Sequence, residues 1–137
     1  MTIIGTNFIE ISVKKNKPVV KGMKINNNLG IKSIEKMDLN IGASNQVGIK
    51  FVFEYVTKYE PGVADMKLEG EVLMLEAKDS VEEVLKNWKD KKPIDEAIMT
   101  NVMNAALTKS TIKALIFAQD MGLPSPVKLP RVVQKQK

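Results

Sequence analysis

Glutamates are the residues of this sequence with the clearest capacity for chemistry. Two carboxylates held close together can act as a general acid and a general base. Most of the candidates follow the polar phase of alternating segments, which is typical of a solvated sheet face. We therefore interpret them as surface residues rather than catalytic ones. They are Glu54, Glu60, Glu69, Glu71 and Glu76.

The composition excludes several common kinds of site. The 137-residue chain contains no cysteine and no histidine. It therefore has no thiol nucleophile, no Ser-His-Asp triad and no ordinary zinc ligands. The segment 42–48 contains two glycines but lacks the spacing of a phosphate-binding loop. We expect no enzymatic activity, no metal and no cofactor.

The formal net charge is +5, and the lysines that produce it are unevenly distributed. No aromatic residue lies within either basic cluster, whereas single-stranded nucleic acids are usually held on aromatic side chains. This favours a solvated surface. The alternative interpretation is a basic protein that contacts RNA or the ribosome through Lys14–Lys24 and the C-terminal tail. The clusters are Lys14, Lys15, Lys17, Lys21 and Lys24, and then Lys128, Arg131, Lys135 and Lys137.

The clearest strands lie in the middle of the chain. Residues 47–60 alternate, with Ile49, Phe51, Phe53 and Tyr55 on one face and charged residues on the other. Residues 64–77 form a second strand, and Pro61-Gly62 supplies the turn between them. This arrangement predicts an antiparallel hairpin.

The first third of the chain is less regular. Residues 7–14 predict a half-buried strand with Ile9, Ile11 and Val13 on one face. In residues 22–45 the apolar phase shifts part-way, which predicts either one bulged strand or two short strands. The run Asn26–Asn28 offers turn chemistry for a break. The sequence leaves both alternatives open, and it predicts a further turn at Asn40–Asn45.

Two helices follow the strands. Ser80 and Glu83 have the spacing of a capping box, which predicts the start of a short helix. Pro93–Met121 predicts a long helix ended by Gly122 in a left-handed conformation. The prolines after it favour an extended segment. The apolar stripes are Val81, Val84, Leu85 and Trp88 in the short helix, and Ile98, Val102, Ala105, Ala106, Ile112, Leu115 and Ile116 in the long one.

This order predicts an α+β fold, a four-stranded antiparallel sheet with a short and a long C-terminal helix packed on one face. We expect a single domain over residues 1–137 with a frayed tail from about residue 131. No signal peptide and no apolar run of membrane-spanning length is evident. We therefore expect a cytoplasmic protein.

The order of elements and the end of the long helix resemble the SecB family of export chaperones and its SecB-like relatives. The similar features are Asn101–Asn104, the run to Phe117-Ala118, the proline-rich exit Leu123–Pro130, and Trp88 in the short helix. The resemblance spans roughly residues 7–132.

This resemblance implies a homo-oligomer, a dimer or a tetramer, that holds unfolded polypeptides in apolar grooves without ATP. The grooves would lie between the sheet and the long helix. A structural or assembly partner with the same fold is a third interpretation. The residues that would contact a client are Phe51, Phe53, Tyr55, Met66, Leu68, Met99 and Met103.

Overall fold

The computed structural model describes residues 2–37, 46–130 and 132. It confirms the predicted fold: a four-stranded antiparallel sheet in the order β1-β4-β3-β2, with both helices on one face. The predicted turn at residues 40–45 and the predicted frayed tail lie almost entirely outside the described residues. The elements are β1 (Thr2–Lys15), β2 (Lys24–Met37), β3 (Gln46–Glu60), β4 (Ala64–Ala77), α1 (Lys78–Lys89) and α2 (Glu96–Asp120).

The β3–β4 hairpin forms the centre of the sheet. Its register places Phe53 opposite Gly70 and Tyr55 opposite Leu68, and the predicted alternation of faces is confirmed. Gly70 has a steric role, because a Cβ there would lie 2.5 Å from both the Phe53 ring and the carbonyl oxygen of Asn7. The sheet therefore needs a glycine beneath this aromatic ring.

The two edge strands, β1 and β2, are both bulged. β1 begins at Thr2, and its register shifts at Ile4 and again at Ile9. The predicted alternation of Ile9 with Ile11 is therefore wrong, because Ile9 is the extra residue of a bulge. β2 is one continuous strand with a bulge between Ile31 and Ser33. Of the two predicted alternatives, one bulged strand is therefore correct and two short strands are not.

The turn at Asn26–Asn28 that the alternative of two short strands required does not form. All three asparagines lie within β2 and pair with residues 56–58 of β3. Pairing with the neighbouring strand satisfies the backbone groups that a turn would otherwise have to satisfy locally. The chain instead crosses between the sheet edges through residues 16–23. The N–H groups of Asn16 and Lys17 donate to the carbonyl oxygen of Val63, at 2.8 and 3.2 Å.

The helices begin and end for local reasons. α1 continues directly from β4 after Ala77 and has no side-chain cap, so the capping box predicted at Ser80 is wrong. Ser80 already lies in the first turn of the helix. α2 is capped at its N-terminus by Asp95, whose Oδ2 accepts a hydrogen bond from the Ile98 N–H at 3.2 Å. It ends before Gly122, whose φ of 66° confirms the predicted left-handed residue.

The core lies between the helices and one face of the sheet. α1 and the first half of α2 cover one end of that face, and the second half of α2 covers the end near the β3–β4 turn. The predicted stripe of α1 is confirmed: Val81 and Val84 are buried, and Leu85 and Trp88 pack against the same cluster.

Candidate functional site: a groove between β2 and α2

Helix α2 buries a row of side chains that repeats at every fourth residue. The predicted stripe is correct for Ile98, Val102 and Ala106. It is wrong for Ile112 and Ile116, which are 54% and 43% exposed. Small side chains replace them in the buried row, because the sheet beneath supplies large aromatic rings. The buried row is Ile98, Val102, Ala106, Ser110, Ala114 and Ala118.

The residues that directly precede those of the buried row in the sequence form a second row, which faces β1. Successive helical residues are rotated by about 100°. Lys109 and Lys113 therefore lie on one flank of α2. Lys109 donates a hydrogen bond to the carbonyl oxygen of Thr6 in β1. Its ammonium nitrogen also lies 5.7 Å from the centre of the Phe8 ring. These contacts orient this flank of the helix.

The row one position after the buried one lies on the opposite flank, towards β2. Its first half consists of the apolar residues Met99, Met103 and Leu107, and no residue of the row is charged. On β2, Leu29 and Ile31 are only partly buried and pack against the core from the sheet side. We call the apolar surface that these five residues form the β2–α2 groove.

The chain's own proline-rich segment, residues 123–130, lies across one end of this groove. We call it the strap. The Tyr59 hydroxyl donates to the Pro124 carbonyl oxygen at 2.7 Å, and Asn27 Nδ2 donates to the Pro126 carbonyl oxygen at 2.7 Å. Both bonds join side chains of the sheet to the backbone of the strap.

The orientation of the Asn27 amide is fixed by its neighbours. Asn27 Oδ1 accepts hydrogen bonds from the Thr57 hydroxyl at 2.7 Å and from the Tyr55 hydroxyl at 3.2 Å. The amide nitrogen must therefore point at the strap. Burial, with a smaller contribution from nearby Tyr55, raises the pKa of Tyr59 to about 12. Tyr59 is thus a neutral hydrogen-bond donor at ordinary pH.

Two open clefts flank the strap. One, of about 640 Å³, lies between Ile25 and the strap residues up to Leu129. The other, of about 380 Å³, is lined by Leu115 and Leu123. Leu115 lies on the same row as Met99, Met103 and Leu107, with Thr111 between it and Leu107, so this row brings an apolar side chain to the strap.

The structure separates the seven predicted client-contact residues into two groups. Met99 and Met103 are partly buried on the groove flank. The other five are fully buried beneath the helices: Phe51, Phe53, Tyr55, Met66 and Leu68. The client-binding role of all seven stays a prediction.

Leu29, Ile31 and Leu107 were not predicted from the sequence as client-contact residues. The alternation of apolar and polar residues in β2 already indicated that Leu29 and Ile31 share one face of the strand. The signal for Leu107 was its four-residue spacing from Met103.

The opposite face of the sheet carries Glu54, Glu69 and Glu71. Glu76 instead pairs with Val47 and falls on the phase of β4 that faces the helices. Lys32 Nζ lies 2.8 Å from Glu69 and 3.6 Å from Glu54, and Lys50 Nζ lies 3.9 Å from Glu71. The hydrogen bond from Lys32 holds the pKa of the Glu69 carboxyl below its usual range. A general acid at neutral pH needs the opposite shift. These three glutamates therefore belong to a network of surface ion pairs.

Comparison with known proteins identifies the fold. No protein-family model matches the chain, and no curated protein matches it in sequence. Among solved structures, a similar one is the Mycobacterium tuberculosis Rv1957 SecB-like chaperone in complex with a ChAD peptide from the Rv1956 HigA1 antitoxin. The match covers 98% of this chain and 92% of that chain, with a TM-score of 0.58 and 10% identity. The fold is SecB-like. Among the described residues, no helix is both long and apolar enough to cross a membrane.

Proposed function

We propose that this protein is a cytoplasmic holding chaperone that binds unfolded or extended polypeptides in the β2–α2 groove without ATP. The observation that carries the proposal is an uncharged row of apolar side chains on α2, formed by Met99, Met103 and Leu107, on a SecB-like fold. Methionine side chains are flexible and adapt to many partners. The similar solved structure, a SecB-like chaperone with a bound peptide, supports the same conclusion.

The strap supports a polypeptide as the occupant. Near the groove end, the sheet already holds an extended segment through the carbonyl oxygens of Pro124 and Pro126. Hydrogen bonds to backbone carbonyls do not depend on the side chains of the bound segment. A site of this kind suits clients of varied sequence.

Met99 and Met103 are the proposed direct contacts from the predicted set, joined by Leu107, Leu29 and Ile31. The five fully buried residues of that set lie under the helices. We propose that they support the groove from below and contact a client directly only when α2 lifts away from the sheet.

A homo-oligomer, either a dimer or a tetramer, is part of the proposal. Ile112 and Ile116 form an apolar pair on the outward row of α2, and Ile4 and Ile9 are exposed at the bulges of edge strand β1. Exposed apolar surface of this kind is typical of interaction sites. A second copy of the chain would cover it.

The test measures whether the protein suppresses the aggregation of an unfolded client. Aggregation is followed by light scattering in the absence of ATP. We expect suppression that persists at high salt, because apolar contacts are not screened. Met103→Glu should weaken client binding by about tenfold or more, since it places a charge in the apolar wall. The matched control is Asn104→Glu, one residue away on the outward row.

Equal activity of these two variants would contradict the groove as the binding site. Absence of suppression by the wild-type protein at either salt concentration would contradict the chaperone function itself. Circular dichroism spectra of both variants establish that the fold is retained.

A further inference from the structure

Lysines surround the end of the molecule at which the strap begins. Lys15 Nζ donates to the Met121 carbonyl oxygen at 3.0 Å, at the C-terminus of α2. Lys17 and Lys21 lie on the crossover segment 16–23, which is held to the hairpin turn at Val63. The lysine end, as we call it, comprises Lys14, Lys15, Lys17, Lys21 and Lys24.

The lysines of this end differ from those of the open sheet face in their ionic contacts. On the open sheet face, Lys32, Lys50 and Lys67 each lie within 4.0 Å of a glutamate oxygen. Within the described residues, no such pair involves any member of the lysine end.

Two cross-strand acids offset part of the charge. Lys14 pairs in register with Asp65, and Lys24 with Glu60. Lys17 and Lys21 have no acid opposite them in the sheet, because they lie outside it. Their positive charge is therefore available to a ligand.

The lysine end adjoins the apolar surface of the groove. The Lys15 ammonium group lies beside Gly122, the residue directly before the strap. A Cβ atom built on this glycine would be 3.7 Å from Lys15 Nζ. Lys128 lines the larger strap cleft together with Ile25 and Leu129. At the other end of the groove, residues 90–96, which join α1 to the first residue of α2, contain three acids and two lysines. Among the described residues at the two ends of the groove, those of the lysine end therefore have a clear excess of positive charge.

The chemistry of this end fits an acidic peptide better than a nucleic acid. Tyr59 is fully buried here, and its hydroxyl is bonded to Pro124, so it offers no stacking surface. The lysines lie on a loop and at the ends of both edge strands rather than along one track. Binding of single strands normally needs both a basic track and exposed aromatic rings.

We propose that the clients of this protein carry acidic residues beside an apolar segment, and that the lysine end binds the acidic part. This inference rests on the proposed function, because the apolar segment occupies the β2–α2 groove. The lysines add affinity and fix which end of the client meets the strap. Charge complementarity across such a site contributes mainly to specificity and association rate.

The test uses three labelled peptides with one shared extended apolar core. One flank carries three aspartates, three lysines or a neutral Gly-Ser-Gly segment, and binding is measured by fluorescence anisotropy. We expect the acidic peptide to bind about 5- to 10-fold more tightly than the neutral one at low salt. That advantage should disappear at about 0.5 M salt, where the screening length is only about 4 Å.

The variant Lys17→Glu/Lys21→Glu should abolish the advantage of the acidic peptide while leaving the neutral peptide unaffected. The matched control, Lys91→Glu/Lys92→Glu, changes the net charge equally at the other end of the groove. It should retain the preference. Loss of the preference in both variants would mean that only net charge matters, and would overturn the proposal.

Other outcomes separate this inference from the proposed function. If neutral and acidic peptides bind equally, the acidic preference is wrong and the chaperone function stands. If neither binds, both are wrong. If a single-stranded RNA oligomer binds the lysine end more tightly than the acidic peptide, and Lys17→Glu/Lys21→Glu removes that binding, the partner is a nucleic acid and the inference is overturned.

Discussion

At the scale of single residues, Asn27 joins the sheet to the strap through one side chain. Its Oδ1 accepts from Tyr55 and Thr57 on β3, and its Nδ2 donates to Pro126. Because the two acceptor bonds fix the amide orientation, the donor bond is formed without further ordering of the side chain. The strap therefore has a preorganised attachment point.

Asn27→Ala should lower the free energy of unfolding by about 1–3 kcal/mol, since it leaves the Tyr55 and Thr57 hydroxyls and the Pro126 carbonyl without this partner. Urea unfolding measures the change. Asn28→Ala is the matched control, because Asn28 is the next residue and lies on the open face. Its effect should stay within about 0.5 kcal/mol. Equal losses in both variants would show that the Asn27 bonds contribute nothing specific.

The attachment point was not predictable from the sequence. Three consecutive asparagines favour a turn when they are considered alone. Their place in β2 is decided by pairing with β3, and only that pairing gives Asn27 and Thr57 a common face. Hydrogen bonds between residues about 30 and 100 positions apart in the chain leave no local pattern.

At the scale of elements, α2 shows which parts of the fold could be predicted. Its ends were predicted to within three residues from Pro93, Asp95 and Gly122. Its buried face was predicted only in the first half, because Ile112 and Ile116 have the hydrophobicity of core residues. A helix that is apolar on several faces gives no single direction for burial. The hairpin was predictable because β3 alternates without interruption.

Ser110 lies in the middle of the buried row, and the described residues provide its hydroxyl with no hydrogen-bond partner. Ser110→Ala should therefore raise the free energy of unfolding by about 1 kcal/mol, through removal of a buried polar group and a gain in helix propensity. Thermal and urea unfolding would measure it.

The comparison variant is Ala114→Leu, one turn further along the same row. It adds volume where the helix lies close to the sheet, and should cost about 1–3 kcal/mol. A stable Ala114→Leu protein would mean that α2 does not need small side chains on this row.

At the scale of the whole molecule, the surfaces differ in charge and polarity. The open sheet face carries paired lysines and glutamates, and the lysine end carries unpaired lysines. The β2–α2 groove and the outward row of α2 are both apolar, but they lie on different sides of one helix. This separation lets one helix serve a client on its flank and a second copy of the chain on its outer side.

The separation of the two surfaces leads to a prediction about assembly. Ile112→Ser/Ile116→Ser should dissociate the proposed oligomer and leave client peptide binding by the remaining chain within about threefold, because these residues are absent from the groove. Leu107→Ser is the control, since Leu107 is 45% exposed but lies on the groove flank. It should weaken peptide binding and leave the oligomer intact. Sedimentation velocity gives the mass of each protein, and anisotropy gives the peptide affinity.

A wild-type protein that stays monomeric at every concentration would contradict the assembly. A double variant that loses peptide binding and keeps its mass would show that the client binds the outward row of α2 instead.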